Sequence, residues 1–168
     1  TTVDYKQAMY WFTKAEQNGI PEADNYIGLM YSKGLGVQKD IPLAIDYFQH
    51  GMDQYHDGYA TGNLAAMYEL GEGVPQDLKK AYELYQKAVE YGNQDRQKNI
   101  NFILGQMHLS GDGAQKDYAQ ALSLFQELSR SGFTPADYYI GYMQENGLGI
   151  QKDIPGAYES YKKAADQG

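Results

Sequence analysis

The chain contains no cysteine, so it has neither disulfides nor thiol chemistry to offer. That leans the compartment towards the cytosol and leaves a periplasmic or lumenal setting open. No stretch of about 18 consecutive apolar residues occurs, so no segment reads as a membrane-spanning helix. Basic residues are scarce: 14 Lys and Arg stand against 22 Asp and Glu, a formal charge of −8. Nucleic acid is therefore not an expected partner, because neutralising phosphates requires clustered Lys and Arg. A polybasic membrane anchor is excluded on the same ground. The three histidines, His50, His56 and His108, share no metal-ligand spacing. No metal, cofactor or catalytic residue is expected, and the chain does not read as an enzyme.

What the chain has in abundance is tyrosine, 17 residues of it, and glycine, 19. The glycines are ordered. Gly-x-Gly-[hydrophobic]-x-x-Asp occurs four times, beginning at Gly34, Gly71, Gly111 and Gly147 and ending at Asp40, Asp77, Asp117 and Asp153. Spacings of 37, 40 and 36 residues between the lead glycines are those of stacked helical hairpins.

Apolar residues before each lead glycine recur at helical spacing: Ile27 with Met30, Leu64 with Met67, Leu104 with Met107, Ile140 with Met143. The glycine then takes the left-handed position that ends a helix. Val37, Val74, Ala114 and Ile150 plug the gap under the loop, and each aspartate caps the next helix. These loops are not phosphate cradles: they follow helices and lack the Gly-Lys-Ser/Thr ending. One carboxylate per repeat supplies too few oxygens for calcium. In the second helix an alanine follows the aspartate by four residues (Ala44, Ala81, Ala121, Ala157) and a ring by eight (Phe48, Tyr85, Phe125, Tyr161). A glycine follows by fifteen (Gly92, Gly132, Gly168), with Tyr55 in that slot of the first full repeat. Asp4, Ala8, Phe12 and Gly19 keep the same offsets, so the chain opens on a second helix without its first.

The run Tyr26-Ile-Gly-Leu-Met-Tyr-Ser-Lys-Gly-Leu-Gly-Val-Gln-Lys-Asp40, followed by Ala44 and Tyr47-Phe48, resembles a Sel1-like repeat, a relative of the tetratricopeptide repeats. The resemblance extends over almost all of residues 4–168. It implies an all-α fold, an α/α superhelix (solenoid) of Sel1-like helical hairpins. Residues 1–168 then form one domain: an orphan second helix at 4–19 and four repeats at 20–55, 56–92, 93–132 and 133–168. His108 and Gln144 depart from the family's tyrosine, and Ala65 from its glycine. Gly51 and Leu128 depart from its alanine, and Gly92–Asn99 is a longer linker.

The resemblance implies a protein-interaction scaffold or adaptor. The alternative is a regulatory or cell-envelope module that activates an associated enzyme or binds wall components. By analogy with tetratricopeptide arrays, the slots nine, five and two before each lead glycine line a concave groove. They are Asn25, Leu29 and Ser32; Gly62, Ala66 and Glu69; Phe102, Gln106 and Leu109; and Tyr138, Tyr142 and Glu145. None is Lys or Arg, so a protein or peptide with apolar anchors and a basic residue is the expected occupant. Beginning without methionine and in mid-repeat, the chain reads as a processed or excised piece of a longer array. Its open ends (Met9, Trp11 and Phe12; Tyr158 and Tyr161) are expected to be exposed and to favour self-association.

Overall fold

The computed structural model describes residues 4–92 and 97–167. Among these it holds nine helices and no strand. The chain divides into two compact units, residues 1–93 and 94–168. The first holds α1 (Tyr5–Gln17), α2 (Ala23–Lys33), α3 (Ile41–Tyr55), α4 (Gly58–Leu70) and α5 (Leu78–Glu90). The second holds α6 (Gln97–Ser110), α7 (Tyr118–Arg130), α8 (Pro135–Asn146) and α9 (Ile154–Gln167). Residues 93–96 of the long linker lie outside the described residues.

The pairs α2/α3, α4/α5, α6/α7 and α8/α9 are hairpins built on one loop. In the first, Gly34 caps α2 at φ 68°, donating its N–H to the Met30 carbonyl. The loop closes when the Asp40 N–H donates to the Tyr31 carbonyl (3.0 Å); Asp77, Asp117 and Asp153 donate to Tyr68, His108 and Gln144 at 2.9 Å. The slot three before the lead glycine thus works through its backbone, which is why it accepts His108 and Gln144. The His108 ring makes a contact of 3.3 Å from Nδ1 to the Gln115 carbonyl oxygen.

The aspartates then turn to the next helix. Asp4, Asp40, Asp77, Asp117 and Asp153 each accept the N–H three residues on, at 2.9–3.1 Å. Replacing Asp40 with alanine is expected to cost about 0.5–2 kcal/mol, the usual penalty for a lost N-cap. Calcium and chelator should leave the thermal midpoint of the parent chain in place. A rise with calcium would reassign the carboxylates to a metal.

The mid-helix glycines have a packing reason. A Cβ at Gly28 would lie 2.6 Å from Phe48 Cε1, and one at Gly105 2.8 Å from Phe125 Cε1. At Gly141 it would lie 2.9 Å from the Tyr161 ring. In these three hairpins the ring eight residues past the aspartate therefore packs on the first helix at the spot where a side chain is missing. In the second unit Phe125 centres a buried cluster with Ala121, Leu128, Ala136 and Met143, and Leu148 and Ile150 of the loop pack against it.

Two expectations need correction. The slot held by Tyr55 is not the left-handed stop of α3; His56 is, at φ 52°, because α3 runs two residues longer than α1, α5 and α7. At the open faces Trp11 and Tyr158 are exposed, at 61% and 65%, whereas Met9, Phe12 and Tyr161 are half-buried. Phe12 stacks on Tyr26 at 4.7 Å, and Tyr161 is turned onto Gly141.

Candidate functional site

The stripe nine, five and two residues before each lead glycine does not have one fate. In the first unit Asn25 is buried, and its side-chain carbonyl accepts from Asn63 Nδ2 at 2.7 Å, joining α2 to α4. Leu29 is half-buried, and Ser32 is buried with its hydroxyl donated to the Leu29 carbonyl. Gly62 is buried; Ala66 and Glu69 are half-buried. In the second unit Phe102 is half-buried in a nest of rings: Tyr139 at 5.2 Å, Phe133 at 5.3 Å and Phe125 at 5.9 Å. Gln106 donates to the Tyr139 hydroxyl at 2.5 Å, and Leu109 packs on the core. The slot nine before the glycine is thus where neighbouring first helices meet.

In α8 the same slots face solvent. Tyr138 is 52% and Tyr142 39% exposed, and Glu145 is exposed one turn further on. Spacing i, i+4, i+7 puts all three on one face of the helix. A fourth group comes from α9: Tyr161 lies 5.4 Å, ring centre to ring centre, from Tyr138 and donates its hydroxyl to Glu145 Oε2 at 2.8 Å. Tyr139 meets Tyr138 edge-on at 5.4 Å from below. The result is a surface of three tyrosine rings beside one carboxylate.

The Tyr161–Glu145 bond has a twin. Tyr85 donates to Glu69 Oε2 at 2.5 Å across the same sixteen residues. In the other two repeats the ring is Phe48 or Phe125, and the residue sixteen before it is Ser32 or Leu109. A hydroxyl on the ring is matched by a glutamate, and its absence by a residue that needs no donor. This coupling between helices was present in the sequence as a fixed spacing and was missed there.

Burial, then the hydrogen bond to Glu145 and that residue's charge, push the Tyr161 phenol from its ordinary 10 up to about 12. A raised acid pKa means the fold favours the neutral phenol. That stabilisation is complete below pH 10 and is lost as pH rises through about 12. Across that window the parent chain should lose stability relative to Tyr161→Phe, in urea unfolding followed at several pH values.

A second inter-helix pairing also repeats. Asp24 and Asp137 lie ten residues before their lead glycines and are buried, at 1% and 4% exposure. Asp24 Oδ2 meets His50 Nδ1 at 2.7 Å; Asp137 Oδ1 accepts from Lys163 Nζ at 2.8 Å and from Ser129 Oγ at 2.5 Å. Each basic partner stands twenty-six residues on, in the second helix of the same hairpin. Each pair ties the two helices of its hairpin together through a buried carboxylate. Among the described residues no three His, Asp or Glu side chains come together as a metal site. No helix among them is long and apolar enough to cross a membrane.

Comparison with known proteins agrees with this construction. The family model described as Sel1 repeat matches five times, at residues 1–20, 21–50, 58–93, 101–133 and 134–168. A Sel1 repeat protein of Oxalobacter formigenes superposes with a TM-score of 0.79 at 32% identity, over 98% of this chain and 65% of that one. A protective antigen of uropathogenic Escherichia coli strains, described as displaying an SLR fold, gives a TM-score of 0.83 at 28% identity. That match covers 98% of this chain and 34% of the antigen. Protein sel-1 homolog 2 of Rattus norvegicus is 35% identical over 86 residues, which is 51% of this chain but only 12% of that protein. The chain spans a small part of that curated relative. Its architecture is that of the α/α solenoids built from tetratricopeptide-like hairpins, and proteins with these repeats are in general protein-interaction modules. By its five matched repeats, its capped Gly-x-Gly loops and its ring-on-glycine hairpins, the chain belongs to the Sel1 repeat family.

Proposed function

We propose that this chain is a protein-interaction scaffold that presents its first helices to a protein or peptide partner, with residues 1–168 acting as one array. The observation that carries the reading is the exposed face of α8. Two large rings, Tyr138 and Tyr142, stand one turn apart in solvent on a helix held by core packing. Exposed aromatic anchors on a rigid surface are where binding energy concentrates, and truncating one commonly costs about 2 kcal/mol or more of affinity. Glu145 continues the same face, while Phe102 and Gln106 are engaged by Tyr139 of the next repeat, Glu69 is held by Tyr85 of its own hairpin, and Leu29 is half-buried.

The double substitution Tyr138→Ala, Tyr142→Ala separates docking from folding. Partner capture by the immobilised chain should fall by an order of magnitude or more, as expected for loss of a hot spot. The urea midpoint should move little, because neither ring is buried. Capture that survives the double substitution, or a domain that unfolds because of it, would overturn the assignment.

A further inference from the structure

We infer that the three-tyrosine surface of the last hairpin is a receptor for a cationic side chain, an arginine of the docked partner. The inference rests on the docking reading above and gives that face its chemistry. Tyr138 and Tyr142 share one face of α8 with Glu145, and Tyr161 joins that face from α9, its ring 5.4 Å from Tyr138 and tilted by 49° and its hydroxyl on Glu145. The electron-rich faces of tyrosine rings attract a cation within about 6 Å, and guanidinium adds planar stacking to the electrostatics.

Glu145 supplies the counter-charge and is itself held in place. Tyr161 donates to its Oε2, which fixes the carboxylate beside the rings. A carboxylate held in this way can accept a guanidinium without first losing side-chain freedom. The lysine of α9 that reaches back towards α8, Lys163, is taken up by Asp137 and Ser129 and does not neutralise Glu145. The net charge of −8 favours approach of a basic segment from solution.

The chain carries its own control. The Tyr85–Glu69 pair in the first unit has the same hydrogen bond, but the slots corresponding to Tyr138 and Tyr142 are Gly62 and Ala66. Tyr85 itself is only 4% exposed. A carboxylate and a hydroxyl are present there without the exposed rings, so that pair should not receive the cation.

The test uses the whole chain with carbon-13-labelled tyrosine rings, titrated with the blocked peptide acetyl-Gly-Arg-Gly-amide. Its neutral isostere, with citrulline for arginine, is the comparison, and the neutral disaccharide cellobiose is a third probe. The arginine peptide should move the ring signals of Tyr138, Tyr142 and Tyr161 saturably and leave Tyr85 in place. The citrulline peptide should bind at least about five-fold more weakly, the scale of an exposed cation–ring contact. Glu145→Gln should weaken the arginine peptide by a similar factor and flatten its dependence on salt. Tyr142→Phe, which keeps the ring and the fold, should retain binding, and Tyr142→Ala should lose it.

Equal binding of the arginine and citrulline peptides would overturn the inference. So would an unchanged affinity in Glu145→Gln, or cellobiose moving the same rings while the arginine peptide does not. If capture depends on Tyr138 and Tyr142 but the two peptides bind alike, the docking face stands and the cation receptor falls. If the arginine peptide binds as expected but partner capture ignores both tyrosines, the docking reading falls instead.

Discussion

Truncating Phe125 to alanine is expected to lower stability by about 3–5 kcal/mol, the range for removing a fully buried ring. The ring is 0% exposed and sits over Gly105, where a Cβ would come within 2.8 Å of it. Phe102 and Tyr139 pack against it at 5.9 and 5.0 Å. Because Gly105 has no side chain to move inward, the cavity cannot be refilled from the facing helix, which places the cost towards the upper end. Tyr85→Ala in the first unit removes a buried ring and leaves Glu69 without its phenol donor. It should cost a comparable amount. Urea denaturation followed by helical circular dichroism reads both, and an unchanged midpoint for Phe125→Ala would contradict ring-on-glycine packing. The contrast with Tyr138 and Tyr142, whose removal should spare the fold, distinguishes core rings from docking rings on a single scale.

The fold was legible because each hairpin repeats its instructions locally. The lead glycine, the capping aspartate and the apolar pairs such as Ile27 and Met30 act within about one loop, so spacing along the chain reports them directly. The ring slots Phe48, Tyr85, Phe125 and Tyr161 were equally visible. What three of them rest on, Gly28, Gly105 and Gly141, was visible only as a recurring small slot, since the pairing requires the register between two helices.

The exposed face of α8 was harder to read for a related reason. A helical stripe is defined by one helix, but its exposure depends on the neighbours. Asn25 and Phe102 occupy the same slot as Tyr138, yet α4 covers the first through Asn63 and Tyr139 covers the second. The stripe therefore locates Tyr138, Tyr142 and Glu145 correctly on one face while saying nothing of which members keep a free surface. The Tyr–Glu pairs, sixteen residues apart, and the buried Asp–base pairs, twenty-six apart, were overlooked because their partners stand on different helices and meet only when the hairpin closes.

Gly149→Ala should be far more damaging than Gly132→Ala, although both glycines are left-handed. Gly132 has φ 80° and no atom within 4 Å of the place a Cβ would take. Its replacement carries only the conformational cost of a left-handed alanine, about 1–2 kcal/mol. Gly149 has φ 67°, and its Cβ would lie 2.8 Å from the carbonyl carbon and oxygen of Tyr118, the first residue of α7. That neighbour is backbone in a capped helix and cannot rotate away. Left-handed strain of about 1–2 kcal/mol then adds to an overpacking cost of about 1–3 kcal/mol, for a total of about 2–5 kcal/mol. Gly36 repeats the geometry against the Tyr5 backbone at 2.6 Å, so in these two loops the second glycine is the seat of the preceding repeat's second helix. Urea midpoints for the two alanine variants, measured side by side, decide the matter. Equal losses would reduce the second glycine to a turn residue, whereas a gap of about 1 kcal/mol or more would make it the point at which one repeat is docked onto the next.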